Sequence, residues 1–243
     1  MTRARVAIAH DYLTQRGGAE RVVLAIARAF PGARIHTSVY EPDGTYPEFA
    51  ELDVVTTPLQ RVGPLRRDPR RALPVLAPVV GRHRIDADLV VASSSGWAHG
   101  FPTSGRTLVY CHAPARWLYQ SERYLGGDPS RSPTGLALLA LRAPLRRWDR
   151  RAAARADGYL ANSHVVRERI GDVPGRAPIS DDPVPVPHLD LGGQTRRKVA
   201  LGRGGQHGQA VGVGLEADQV VVAERLEQVV VRRDGGEDFR SRK

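Results

Sequence analysis

The sequence predicts an α/β fold, a Rossmann-like parallel sheet with helices on both faces, followed by an irregular tail. Three observations carry this. Short apolar runs of strand length alternate with segments of helical apolar spacing over residues 1–170, and such alternation builds a parallel sheet covered on both faces. The first of these junctions is strand, glycine loop, helix. Beyond Ile170 the texture changes: Gly and Pro recur densely and Phe239 is the only Phe, Trp or Tyr. We therefore expect a Rossmann domain over 1–170 and a poorly ordered or partly folded tail over 171–243.

Val6–Ala9 is the first strand. Gly17-Gly18 follows a polar loop, and Ala19–Phe30 carries Val22, Val23, Ile26 and Phe30 at helical spacing before Pro31-Gly32 ends it. Further strands are expected at Arg34–Tyr40, Val54–Thr56, Leu89–Ser93, Thr107–His112 and Tyr159–Ala161. Helical segments are expected at Arg70–Gly81, which Pro74 and Pro78 weaken, at Gly135–Ala156 with a kink at Pro144, and at Ser163–Ile170. In the tail Val184–Pro187 reads as extended chain, and Val220–Val222 and Val229–Val231 read as short strands around a brief helix at Ala223–Gln228.

The chain of 243 residues is 41% hydrophobic, enough for a buried core. No apolar run approaches the roughly 20 residues that span a bilayer, and the N-terminus lacks a signal-peptide core, so a cytoplasmic protein is expected. The single cysteine, Cys111, excludes an intrachain disulfide, and no Cys/His spacing suits zinc. The net charge of +10 suits an anionic partner or reflects an arginine-rich composition without functional meaning. Arg61–Arg84 and Arg142–Arg155 mix arginine with apolar residues, as a helix face resting on anionic lipid or a solvated face would. A basic nucleic-acid-binding module is the rival class. The sequence has no helix-turn-helix, no aromatic RNP-type strand and no zinc-finger spacing, so no specific nucleic acid is expected.

Several residues fall where open α/β sheets bind ligands, at the carboxyl ends of strands. Gly17 and Gly18 sit where a strand hands over to a helix N-terminus, which exposes unpaired N–H groups and the positive end of the helix dipole to a phosphate, or they form a simple turn. Neither the dinucleotide fingerprint nor the P-loop is present. His10 and Asp11 end the first strand, with an acceptor-binding role or a turn role for Asp11. Ser93, Ser94, Ser95, Trp97 and His99 follow the fourth strand, as a hydroxyl-rich loop with an aromatic plate for a sugar or as an ordinary turn. Ser95 lacks the glycines of a nucleophile elbow, which excludes a serine hydrolase. Asn162 and Ser163 are N-cap candidates.

Five segments in order resemble one family: Ala7 to Val23 with its glycine loop, Asp88-Leu89-Val90-Val91-Ala92-Ser93-Ser94-Ser95, Tyr110-Cys111-His112-Ala113-Pro114-Ala115-Arg116, Arg146-Arg147-Trp148-Asp149-Arg150-Arg151-Ala152-Ala153, and Ala161-Asn162-Ser163. Together they resemble the N-terminal domain of family 4 glycosyltransferases, retaining enzymes of the GT-B fold, with bacterial polysaccharide mannosyltransferases as the nearest type. The resemblance implies a GDP- or UDP-activated sugar as donor, a sugar or lipid-linked sugar as acceptor, and neither cofactor nor metal. It also implies direct contact of His112 with the donor sugar, and a turn fixed by Pro114 and contact of Arg116 with phosphate or acceptor, unless these two are plain loop residues; the basic segments add an expectation of peripheral contact with the inner membrane face. The family's basic pair and E-x7-E motif belong to its C-terminal domain. Glu216, Glu224, Glu227 and Arg196-Arg197-Lys198 supply no convincing copy. The chain is therefore expected to lack the donor half, to bind nucleotide sugar weakly and to transfer little alone, or to be a non-catalytic remnant of the domain.

Overall fold

The computed structural model describes residues 4–120, 127–131, 133–173, 176 and 178. All of them belong to the first of two compact units, Met1–Pro185 and Val186–Lys243. The expected tail elements at 184–187, 220–222, 223–228 and 229–231, with the carboxylates at 216, 224 and 227 and the basic run 196–198, lie outside the described residues.

Six strands form one all-parallel sheet: β1 Val6–His10, β2 Arg34–Thr37, β3 Val54–Thr56, β4 Leu89–Ser94, β5 Arg106–Cys111 and β6 Gly158–Ala161. Their spatial order is β3-β2-β1-β4-β5-β6. The order reverses between β1 and β4, where Ile8 stands opposite Val91 and His10 opposite Ser93. From that switch point the chain runs outward in both directions, opening a crevice at the carboxyl ends of the strands.

Alternate strand residues point to opposite faces. Ala7, Ala9, Val90, Ala92, Val109, Cys111, Tyr159 and Ala161 belong to one apolar cluster with Leu73, Leu76, Ala77 and Val80 of helix α3 (Leu73–Val80) and with Leu138 of α5 (Pro133–Ala140). Leu145 and Ala153 of α6 (Arg142–Ala153), with Val166 and Ile170 of α7 (His164–Gly171), complete it. Helix α1 (Gly18–Ala29) buries Val22, Val23 and Ile26 and touches β1 and β4. The helices α2 (Gly63–Arg67) and α4 (Arg116–Tyr119) are single turns.

Three boundaries differ from the expectation for identifiable reasons. The second strand stops at Thr37, because the chain turns where Ser38 N–H bonds the Asp11 carbonyl, and only an isolated bridge pairs Leu13 with Tyr40. The segment from Arg70 is a 3-10 turn to Ala72, and the α-helix begins at Leu73, where Pro74 in the first turn has no bond to lose. The long segment from Gly135 breaks at Leu141 and not at Pro144. Proline lacks the N–H that would bond Ala140, four residues earlier, so one helix ends at Ala140 and a second restarts with Pro144 in its first turn. Ser163 caps α7 as expected, its hydroxyl accepting from Val166 N–H at 3.3 Å. No helix among the described residues is long and apolar enough to cross a membrane.

Candidate active site

The carboxyl ends of β1, β4 and β5 and the first turn of α1 meet at the switch point, where hydrogen bonds and one longer charged contact link His10, Ser93, His112 and Glu20. His10, buried at the end of β1, places Nδ1 3.0 Å from the Ser93 carbonyl and Nε2 3.7 Å from Glu20 Oε1. A carbonyl can only accept, so Nδ1 donates to Ser93, and Nε2 faces the Glu20 carboxylate. Burial pushes the His10 pKa down, but the hydrogen bond and charge of Glu20, with Asp11 nearby, overcome it and raise the value above 6.5. Glu20 is correspondingly lowered: against its own burial, His10 holds it ionised. The opposite end of the chain is Ser93 Oγ, 2.8 Å from His112 Nε2. Burial, and then the positive His10, push His112 down to about 4, so this half-buried imidazole is neutral at neutral pH. A histidine with a raised pKa and one with a lowered pKa thus stand on either side of one serine.

Asp11 shapes the neighbouring loop. Its Oδ2 accepts from Ser95 N–H at 2.7 Å, and its Oδ1 accepts from Trp97 and Ala98 N–H at 2.8 and 2.7 Å. The Asp11 carboxylate therefore acts on the backbone of the fourth strand's loop. Contrary to the expectation, Trp97 is no plate for a sugar but a core residue, 1% exposed, whose indole N–H is shared by the Asp11 carbonyl and Ser38 Oγ. His99 is likewise buried, between Ser94 Oγ at 3.3 Å and Asp149 Oδ1 at 3.0 Å. Ser94 therefore turns into that buried pair, while half-buried Ser95 stays at the crevice.

Gly17 caps α1 with φ −116° and Gly18 is its first residue. Neither needs a left-handed backbone; what Gly17 needs is space. A Cβ there would lie 2.5 Å from Glu20 Oε2, whereas one at Gly18 would meet nothing. Glu20 Oε1 takes a bond from Gln15 Nε2 at 3.0 Å, but Oε2 is buried and has no partner. Glu20 is the site residue that sequence reasoning missed, because an acid in a first helical turn is ordinarily explained by the helix dipole.

Arg116 opens α4 beyond the hydrogen-bonded chain, yet its charge helps to keep His112 deprotonated. With Pro114, Tyr119 and Arg169 it lines an adjoining cavity of about 210 Å³. The structure thus brings Gly17, Gly18, His10, Ser93, Ser95 and His112 to one edge, with Arg116 beside them, and turns Asp11 and Ser94 toward the scaffold. Among the described residues no group of three or more His, Cys, Asp or Glu is placed to hold a metal ion.

The family model "Glycosyltransferase Family 4" matches residues 16–180, a span that runs from the glycine loop past Arg176. No curated protein and no solved structure matches the chain. A match over more than half the chain, on a parallel sheet whose crevice carries the residues just described, identifies the protein as a member of glycosyltransferase family 4.

Proposed function

We propose that this domain serves a retaining hexosyltransferase that uses a GDP- or UDP-activated sugar, with mannose the first candidate, and a lipid-linked acceptor. The observation that carries the reading is the run Glu20, His10, Ser93, His112 at the switch point of a family 4 domain. A neutral His112 bonds sugar hydroxyls without placing a second positive charge beside His10. Glu20, buried behind them, holds His10 by its charge. The N-terminus of α1 and the Arg116 guanidinium suit a diphosphate, whose growing negative charge is stabilised by such fixed donors. Leu136, Leu139 and Leu141 are exposed on and just after α5, next to exposed Arg142 and Arg147 on α6, a surface suited to anionic lipid.

The test is radiolabelled transfer from GDP-mannose and UDP-glucose to lipid-linked acceptors in phosphatidylglycerol vesicles, with donor and acceptor binding followed by calorimetry. One donor or acceptor is expected to bind, and His112→Ala to weaken binding or turnover about 10- to 100-fold, the loss of one or two hydrogen bonds. Absence of both binding and transfer, or a His112→Ala protein indistinguishable from wild type, overturns the reading.

A further inference from the structure

Beside the amino end of β5, α3, α6 and the connection from β4 to β5 line a cavity of about 840 Å³. Small-molecule sites fall in the range of roughly 300–1,000 Å³. The lining includes three arginines, Arg82, Arg84 and Arg155, and no Asp or Glu. None of the three is in an ion pair among the described residues. Arg82 gives one N–H to the Pro78 carbonyl at 3.1 Å. Asp86 feels the charge of Arg84, but its oxygens are held by Arg5 and Ser104.

The apolar wall is built around Trp148. Its indole is seated against Gly100, where any Cβ would overlap the ring, and against Gly81. His99 packs at 6.0 Å between ring centroids and is itself fixed by Asp149. An aromatic wall that is held in place, next to three arginines that are in no ion pair among the described residues, combines the two elements of recognition for a phosphorylated ring compound. Guanidinium matches phosphate oxygens in pairs, and an indole accepts a flat or ring-shaped body.

We propose that this cavity is a second site, which binds a small phosphorylated ligand with its phosphate on Arg82, Arg84 and Arg155 and its ring on Trp148. It uses none of the residues of the His112 cluster, and it stands or falls independently of the donor and acceptor proposed above. A nucleoside diphosphate and a sugar phosphate present this same chemistry.

The two sources are separated by titrating the full chain with GDP and UDP by calorimetry, and with mannose 1-phosphate, glucose 6-phosphate and inorganic phosphate by tryptophan fluorescence and calorimetry. Trp97 and Trp117 are each 1% exposed, so a ligand in this cavity changes chiefly the emission of Trp148. One ring-bearing phosphate is expected to bind at least 10-fold more tightly than inorganic phosphate. The double variant Arg82→Ala/Arg84→Ala, at two exposed positions, is expected to weaken it at least 30-fold, and Trp148→Phe by less. Arg61→Ala/Arg67→Ala, which removes equal charge outside the cavity, is expected to leave the Trp148 response unchanged. The proposal is overturned if no probe binds saturably, if inorganic phosphate binds as tightly as every ring-bearing probe, or if the Arg61/Arg67 control reduces the Trp148 response as much as the Arg82/Arg84 pair.

Discussion

Asp11 holds three backbone N–H groups of the loop after β4, from residues 84 to 87 positions later in the chain. Its replacement by alanine leaves those donors without a partner in a buried loop, at about 1–3 kcal/mol each before relaxation. Asp11→Ala is therefore expected to lower unfolding stability by about 3–5 kcal/mol in urea titrations, and Asp11→Asn, which keeps an acceptor oxygen, by clearly less. A loss below 1 kcal/mol for the alanine variant would contradict the geometry. The sequence placed Asp11 at the ligand edge but left ligand contact and turn formation open, because partners so far along the chain have no local signature. Trp97 departs from its expected role for the same reason. An indole after a serine run looks like a platform until the fold shows Ser38 and Asp11 taking its N–H. The placement of His112 and the glycine pair is legible from strand ends, whereas the raised pKa of His10 depends on Glu20, in the first turn of α1.

Helix α6 shows what periodicity omits. Its Asp149, fully buried, accepts from Tyr119 at 2.7 Å and from Arg176 at 2.9 and 3.0 Å, and pairs with His99 at 3.0 Å. Against its own burial these partners, His99 first, hold its pKa down. The apolar pattern located a helix here, and the resemblance to family 4 included this stretch. Neither indicated that the acid in Arg147-Trp148-Asp149 fastens α4 and Arg176 to the core. Asp149→Ala strands a buried guanidinium and is expected to cost about 3–5 kcal/mol, as breaking buried pairs does. Arg176→Ala should do similar damage, and the double variant should lose much less than the sum of the two. Full additivity in a double-mutant cycle followed by thermal unfolding would refute the coupling.

At the scale of the molecule, the alternation of runs was enough to specify a parallel sheet, but the order β3-β2-β1-β4-β5-β6 follows from crossover geometry that periodicity does not encode. The folded sheet also imposes a pH dependence. Burial lowers both His36, hydrogen-bonded to His83 at 3.0 Å, and His112 to about 4 from an ordinary 6.5. The neutral rings contribute stability that is fully present above pH 6.5 and lost as pH falls toward 4, because the unfolded chain takes up the protons first. Each costs at most about 1.4 kcal/mol per pH unit across that window. The raised His10 acts in the opposite sense, its contribution complete below 6.5 and lost at higher pH. Melting temperature should therefore fall between pH 6.5 and 4, with a shallower fall for His36→Gln. A flat profile would show that these rings are not held neutral.

The two margins of the sheet have a bearing on how the protein behaves at high concentration. On one side the outermost strand, β3, is three residues long. On the other, Tyr159 of β6 makes an isolated bridge to Pro178, a residue with no N–H to offer a further strand. Exposed strand edges are where folded domains recruit one another into aggregates, and short or proline-flanked margins give a neighbour little to pair with. In crowded solution, therefore, these two margins offer a neighbouring copy little backbone on which a ladder could grow.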